Sequence, residues 1–348
     1  MRQNQYVTDR YSRQLALPGW GPDAQAKLAN ARVLVIGAGG LGSTVIPALV
    51  AAGVGTVGIV DDDRVELSNL HRQHIHGVAD IGEPKARSAA SSAAQIDPLA
   101  NVVATQTRLT AENALELFAD YDLVLDGSDN FPTRYLANDA AVLTGIPLVW
   151  GAVSQYGGQV GVSWGTTYRD LFPTPPPPGS VLSCEVGGVL PTTVGVIGSL
   201  MATEALKILT GMGEPLVGRV TVFDGLSGDF RTIAYEKDPT ADPITALIEY
   251  ELFCGVKGTT EATGTLLDVR EPWEHELVAL PGSILIPLGE LEARLGELPA
   301  GPIVAYCHHG MRSAQARDIL LAHGFDATHL EGGIDAWARD RDPEMARY

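Results

Sequence analysis

Cysteine is scarce in this chain: Cys184, Cys254 and Cys307 are the only three in 348 residues. The odd total, with no C-x-x-C pair, excludes a closed disulfide framework and a four-cysteine zinc site within one chain, and points to a reducing compartment. Basic residues are few as well. Lys and Arg number 24 against 42 Asp and Glu, a formal charge of −18, which argues against nucleic acid or an anionic membrane as main partner because both select basic patches. A long apolar run is missing too: residues 1–10 are polar, and the most apolar stretch, 189–202, is broken by Pro191, Thr192, Thr193, Gly195 and Gly198. No signal peptide and no membrane span are expected, and the expected location is the cytoplasm. Neither an internal repeat nor a G-x-x-x-x-G-K-[ST] phosphate loop occurs.

What is present is a 45% hydrophobic chain long enough for two or three domains. Residues 1–30 read as short helices. Strands are expected at 31–36, 57–60, 101–107, 123–125 and 147–150 with helical stretches between. That is the α/β pattern of a Rossmann-like, doubly wound parallel sheet, whose functional groups gather at the carboxyl ends of the strands. The proline-rich segment 172–179 is too stiff and donor-poor for a helix or inner strand and reads as a surface crossover. A helix over 194–209 ends at Gly211, strands within 217–235 close the domain, and 236–243 has linker chemistry. The expected organisation is a first domain over 1–237, a linker over 238–263, and a small α/β domain over 264–348.

The first strand runs into Gly37-Ala38-Gly39-Gly40-Leu41-Gly42, and Asp61 closes the second strand. Glycines at 37, 39, 40 and 42 let the turn tighten and the backbone approach phosphate, the helix N-terminus supplies N–H donors, and a carboxylate on the next strand can hold ribose hydroxyls. On that motif alone an NAD-dependent oxidoreductase is the favoured reading. Three further groups depart from it: Ser68-Asn69-Leu70-His71-Arg72-Gln73, then Lys85, then Asp126-Gly127-Ser128-Asp129-Asn130. A dinucleotide redox site needs none of them, whereas a site that breaks an α,β-phosphate bond needs cations for the developing charge and a carboxylate for Mg2+. His71, His74 and His76 fall in a polar loop and are expected to face solvent.

Near the C-terminus, Cys307-His308-His309-Gly310-Met311-Arg312-Ser313 lies between a strand at 302–306 and a helix at 314–323. A strand that stops at a cysteine and restarts as a helix forms a loop whose N–H groups can converge on sulfur. Lowering a thiol pKa by ~2 units takes about 2.7 kcal/mol, within reach of a helix N-terminus, several N–H donors and Arg312. His308 and His309 are expected to shape a pocket rather than bind metal. Segments 266–271, 282–288 and 327–337 read as a strand with an acidic–basic turn, a second strand, and a strand, glycine turn and helix.

In order and spacing, residues 264–340 resemble the rhodanese signatures, which implies that Cys307 carries sulfur as a persulfide. Residues 1–235 resemble the MoeB/ThiF family, the bacterial relatives of ubiquitin-activating E1 enzymes. Motif by motif, that resemblance implies Gly40, Asp61, Ser68, Asn69, Leu70, His71, Arg72, Lys85, Asp129 and Asn130 at ATP, with Asp129 on Mg2+. Arg13, in Arg10-Tyr11-Ser12-Arg13-Gln14, matches an arginine that reaches into the partner subunit's site, which implies a homodimer. Cys184 matches a position proposed in relatives as an acyl-holding or resolving thiol, but its neighbours depart from the usual Ser-Cys-Ala-Glu, and a structural role stays open; Cys254 reads as structural. Many relatives carry two C-x-x-C zinc pairs. Here the first would fall on Thr167 and Asp170 and the second region keeps only Cys254, so no zinc is expected.

The activity implied is adenylation of the C-terminal glycine of a ubiquitin-like sulfur carrier ending in Gly-Gly, followed by sulfur transfer from Cys307 to give a thiocarboxylate. The implied partners are that carrier and an upstream persulfide donor such as a cysteine desulfurase. Carriers of molybdopterin, cysteine, thiamine and tRNA-thiolation pathways all remain open. A non-catalytic scaffold that docks carriers would have no use for Arg72, Lys85, Asp129 and Cys307 together.

Overall fold

The computed structural model describes residues 6, 8–176, 187–248, 250–254, 261–342 and 345–346. They fall into two compact units, one running to residue 174 and resuming over 187–248, the other taking in residues 175–176 and those from 250 onward.

The first unit is built on an eight-stranded sheet of order β3-β2-β1-β4-β5-β6-β7-β8. Strands β1 (Arg32–Ile36), β2 (Thr56–Val60), β3 (Asn101–Thr105), β4 (Leu123–Asp126) and β5 (Leu148–Ser154) run parallel, each near its expected place. Val33, Val35, Ile59, Leu123 and Leu125 are fully buried, as strands covered by helices on both faces require. In register, Ile36 stands beside both Val60 and Asp126. The loops that follow β1, β2 and β4 therefore leave the sheet side by side.

The sheet is not parallel throughout, as the sequence pattern suggested. Strands β6 (Gly157–Ser163), β7 (Arg219–Asp224) and β8 (Phe230–Ala234) extend it antiparallel from β5. Three glycines mask β6 in the sequence, since glycine is depleted in strands. Packing demands two of them: a Cβ on Gly158 would strike Ile197, and one on Gly161 would strike the Trp150 ring.

Two helices meet at the centre of this unit. Gly40–Ala52 stops at Gly53, whose φ of 90° makes a left-handed cap. Across it lies Pro191–Thr210, where Gly198 lets the backbone approach Thr44. Pro191–Thr210 is long and apolar enough to cross a membrane, with a mean hydropathy of 1.3. It buries Val194, Ile197, Met201 and Ala205 in the core. Of the proline-rich segment, 177–179 lie outside the described residues. Just before it, Thr167 and Asp170 close a reciprocal capping box on the short helix Tyr168–Leu171: Asp170 N–H donates to Thr167 Oγ1 at 3.3 Å and Thr167 N–H to Asp170 Oδ2 at 2.6 Å.

The second unit carries a four-stranded parallel sheet of order β10-β9-β11-β12, formed by β9 (Thr265–Asp268), β10 (Ile284–Leu285), β11 (Ile303–Tyr306) and β12 (Ala327–His329). The strand expected over 282–288 shrinks to two residues. Leu267, Val269, Ile286, Ile303, Ala305 and Leu320 are buried in its core. Cys254 is also buried.

Candidate active sites

At the carboxyl end of the large sheet, the Gly37–Gly42 turn is fixed from both sides. Gly37 has φ 88°, and a Cβ on Gly42 would run into the Gly37 carbonyl oxygen, so both positions require glycine. The Ala38 N–H donates to Asp61 Oδ2 at 2.7 Å, while Asp61 Oδ1 accepts from Asp63 N–H at 2.8 Å. Burial raises the Asp61 pKa against the opposing pull of Lys85 and these two N–H groups. Each carboxylate oxygen keeps a lone pair for a further donor.

Lys85 opens the helix Lys85–Ile96 and is 7% exposed. Its Nζ donates to Asp63 Oδ2 at 2.8 Å. Burial pushes its pKa down, but Asp63, and behind it Asp61 and Asp129, more than offset this and hold it above the ordinary lysine value. Arg72 lies against the same turn, its Cδ 3.9 Å from where a Gly40 Cβ would stand. Ser68 and His71 are exposed and Asn69 half-buried, and they hydrogen-bond within their own turn: Glu66 N–H to Asn69 Oδ1 at 3.2 Å, Asn69 Nδ2 to Ser68 Oγ at 3.3 Å, and His71 Nδ1 with Ser68 O at 3.0 Å. Leu70 is half-buried beside them.

After β4, Asp129 is exposed and makes no hydrogen bond among the described residues. Asn130 caps the helix Phe131–Thr144 by accepting the Thr133 N–H at 2.9 Å. The turn that carries both hangs on a buried pair the sequence did not reveal. Asp126 is 0% exposed and 3.5 Å from Arg134 Nε, while Arg134 Nη2 donates to Ser128 O at 2.8 Å and Gly151 O at 3.1 Å. Two carboxylate groups here offer hard oxygen ligands: Asp129, and the trio Asp61, Asp62 and Asp63, whose ligand atoms lie within 4.8 Å of one another. Within the trio, Lys85 pairs with Asp63.

The expectation for one histidine changes. His76 is not in solvent but 5% exposed, with Nε2 2.9 Å from Ala38 O and Nδ1 2.8 Å from Ser88 Oγ; the burial of Gln73, Ile75 and His76 is hidden in a polar run. Arg13 is not at the glycine turn of its own chain. It is exposed on the short helix Ser12–Leu15, whose Gln14 donates to Ala52 O at 2.8 Å, at the far end of the helix that Gly40 begins, about 18 Å away at 1.5 Å per residue. Cys184 lies outside the described residues.

In the small unit, Cys307 follows β11 and is 2% exposed. One N–H, that of Gly310, donates to its Sγ at 3.1 Å, and Ser313 Oγ lies 3.6 Å away. Convergence is thus from one backbone donor and one hydroxyl rather than several N–H groups, with the N-terminus of the helix Met311–Ala322 behind them. The loop is braced by Gly332 and Gly333: Ile334 N–H donates to Cys307 O at 2.8 Å and Asp335 N–H to His308 O at 3.1 Å, and a Cβ on Gly333 would strike the loop carbonyls. Arg312 does not stand free to attract the thiolate, because Glu274 holds it. The His308 and His309 rings stack at 3.8 Å, and burial with the neighbouring His309 lowers the His308 pKa to about 4. Beneath the loop, Arg270 and Asp268 form a fully buried pair at 2.6 Å, joined by His275 Nδ1 at 2.8 Å from the same carboxylate. Burial pushes Tyr306, whose hydroxyl donates to Ser283 Oγ at 2.8 Å, up to about 12.

Fold and sites together define a bifunctional enzyme, an adenylyltransferase joined to a sulfurtransferase. The chain belongs to the ThiF family, whose model matches residues 11–243, and a rhodanese-like domain matches residues 256–340. It is 48% identical over 371 residues to the probable adenylyltransferase/sulfurtransferase MoeZ of Mycobacterium tuberculosis, covering 97% of this chain and 95% of that one. A sulfur carrier protein adenylyltransferase of Thermus thermophilus is 50% identical over 272 residues, covering 74% of this chain and 100% of its own. The adenylyltransferase and sulfurtransferase MOCS3 of Drosophila grimshawi is 38% identical over 386 residues, covering 97% and 86%. In fold, the chain is similar to E. coli MccB with ATP at a TM-score of 0.59 and 20% identity, over 66% of this chain and 73% of that one.

Proposed function

We propose that the first unit uses ATP to adenylate the C-terminal glycine of a ubiquitin-like sulfur carrier, and that Cys307 then delivers sulfur to the activated carbonyl. One observation carries the first half: a phosphate-sized glycine turn, a helix N-terminus, Arg72 and the Lys85 ammonium share one end of the sheet with the exposed Asp129 carboxylate. The domain limits that go with this reading are 1–237 for adenylation, 238–263 for the linker and 264–348 for sulfur transfer.

Asp61 receives the ribose hydroxyls on its spare lone pairs. The Gly37–Gly42 backbone and the N-terminus of Gly40–Ala52 take the phosphates, and the 68–72 turn with Asn130 closes the nucleotide in. Asp129 fits Mg2+, a hard cation that prefers carboxylate and phosphate oxygens and shields phosphate charge when bound. The carrier's carboxylate oxygen attacks the α-phosphorus, the bond to the bridging oxygen breaks, and pyrophosphate leaves with the acyl-adenylate formed. Arg72 and Lys85 stabilise charge on the phosphoryl oxygens as it develops.

Arg13 sits about 18 Å from the turn of its own chain by helix rise, so it serves a second copy, and the working form is a homodimer. In the second half, an upstream persulfide donor such as a cysteine desulfurase loads a sulfur atom on Cys307. The terminal sulfur of that persulfide attacks the acyl-adenylate carbonyl, the carbon–oxygen bond to AMP breaks, and an acyl disulfide forms. A second thiol, for which Cys184 is the candidate, cleaves the sulfur–sulfur bond and ends in a disulfide with Cys307. The carrier thiocarboxylate leaves, and a cellular thiol later reduces that disulfide. The Gly310 N–H and the Ser313 hydroxyl hold the Cys307 sulfur in place, and Arg312 anchors the 307–312 loop to Glu274.

The test is intact mass of candidate Gly-Gly-tailed carriers after incubation with ATP, Mg2+ and a sulfur source, alongside exchange of pyrophosphate into ATP. Cys307→Ala abolishes the gain of about 16 Da expected for oxygen-to-sulfur replacement yet keeps exchange, since a thiol is needed only after activation. Asp129→Ala abolishes both. Equal loss of exchange in the cysteine variant would refute the division of labour.

A further inference from the structure

We propose that His76 is the positioning residue that locks the glycine turn, the Arg72 turn and the Lys85 helix into one phosphate-facing frame. The inference rests on the adenylation reading above and adds a residue to it. His76 touches all three elements. Its Nε2 is 2.9 Å from the carbonyl of Ala38 in the glycine turn, and its Nδ1 is 2.8 Å from the hydroxyl of Ser88. Ser88 lies one turn beyond Lys85 on the helix Lys85–Ile96 and therefore on the same face. The His76 backbone belongs to the segment that begins at Arg72: Arg72 and Gln73 N–H donate to Asn69 O at 3.1 and 3.0 Å, and His76 N–H donates to Gln73 O at 3.1 Å.

The tautomer follows from the partners. Burial lowers the His76 pKa, so the ring is neutral near pH 7 and offers one donor and one acceptor. A carbonyl oxygen can only accept. Nε2 therefore carries the proton and donates to Ala38 O, and Nδ1 accepts from the Ser88 hydroxyl.

The consequence for phosphate binding lies in the peptide plane. In a trans peptide the carbonyl and the following N–H point in opposite directions. Holding the Ala38 carbonyl toward His76 aims the Gly39 N–H the other way, out of the protein toward the nucleotide. The peptide before it is held in the opposite sense, because Asp61 Oδ2 takes the Ala38 N–H at 2.7 Å and so turns the Gly37 carbonyl toward Gly42. His76 and Asp61 thus pin successive peptides of the turn.

The test uses the full-length protein with a Gly-Gly-tailed carrier present, and ATP–pyrophosphate exchange and melting temperature are measured for wild type, His76→Gln, His76→Asn and Ser88→Ala. A glutamine amide reaches the Nε2 position and can still donate to Ala38 O; an asparagine amide stops at Nδ1 and cannot. Both replace the ring with a smaller amide, so a purely structural role would move both alike. The expected result is a loss in kcat/KM for ATP of about 100-fold in His76→Asn, carried by KM and kcat together, with His76→Gln and Ser88→Ala about 10-fold or less below wild type. Equal exchange by His76→Asn and His76→Gln would overturn the proposal. Failure of wild type itself to exchange would instead overturn the adenylation reading. Ring-nitrogen NMR of His76 is independent of either: a protonated Nε2 at pH 7 is expected, and a protonated Nδ1 would overturn the proposal whatever the kinetics.

Discussion

Arg312 and Glu274 meet in a two-point ion pair, Nη1 to Oε2 at 2.6 Å and Nη2 to Oε1 at 2.7 Å, with the carboxylate buried and the guanidinium at the rim. The parallel geometry is the strong form of this interaction. Glu274 Oε2 also accepts the Glu271 N–H at 2.9 Å and so caps its own helix. The pair ties the first turn of one helix to the cysteine loop. A double-mutant cycle with Arg312→Ala, Glu274→Ala and the double variant, followed by chemical denaturation, is expected to give a coupling of roughly 1–3 kcal/mol. Additive losses would mean that the contact holds nothing.

Arg134 faces the fully buried Asp126, and burial already raises that carboxyl's pKa while Arg134 pulls it back down. Arg134→Met is expected to cost about 3–5 kcal/mol at pH 7, the range for stranding one partner of a buried pair. With the folded-state pKa raised above the unfolded one, the folded state binds the proton more tightly. The penalty therefore shrinks as pH falls through the folded pKa and is full above it. Denaturation midpoints at pH 5 and pH 7.5 read this directly, and a loss that is small and equal at both would rule it out.

His308, with its pKa lowered to about 4 by burial and by His309, is neutral near pH 7. Its folded pKa lies below the unfolded value, so its contribution to stability is intact above about pH 6.5 and is lost as pH falls toward 4. Imidazole resonances followed from pH 3.5 to 8 should place its midpoint near 4. A midpoint near 6.5 would show a ring in water, and would return a titrating cation to the loop beside Cys307.

The parallel strands, the glycine turn and the cysteine loop were legible because each is a local signal: an apolar run of strand length, a phosphate-turn spacing, a strand that stops at a reactive side chain. What escaped the sequence is what only tertiary packing creates. Gly158 and Gly161 read as breakers until Ile197 and Trp150 occupy their missing side chains. His76 reads as a polar loop residue until Ala38 and Ser88, 38 and 12 positions away, close on it. Arg312 reads as a free cation until Glu274, 38 residues upstream, is brought against it. Charge near a thiol is visible in sequence, but its neutralisation is not.

At the turn where the family resemblance would put a first C-x-x-C pair, Thr167 and Asp170 hold each other, and Asp170 Oδ1 further accepts the N–H of Asp238 at 3.1 Å. A clasp made of a hydroxyl, a carboxylate and peptide groups gives a chelator nothing to strip and an oxidant nothing to attack. It also adds no nucleophilic sulfur to a chain whose work is to pass a labile sulfur atom in one direction, so this turn keeps its shape without competing for the cargo.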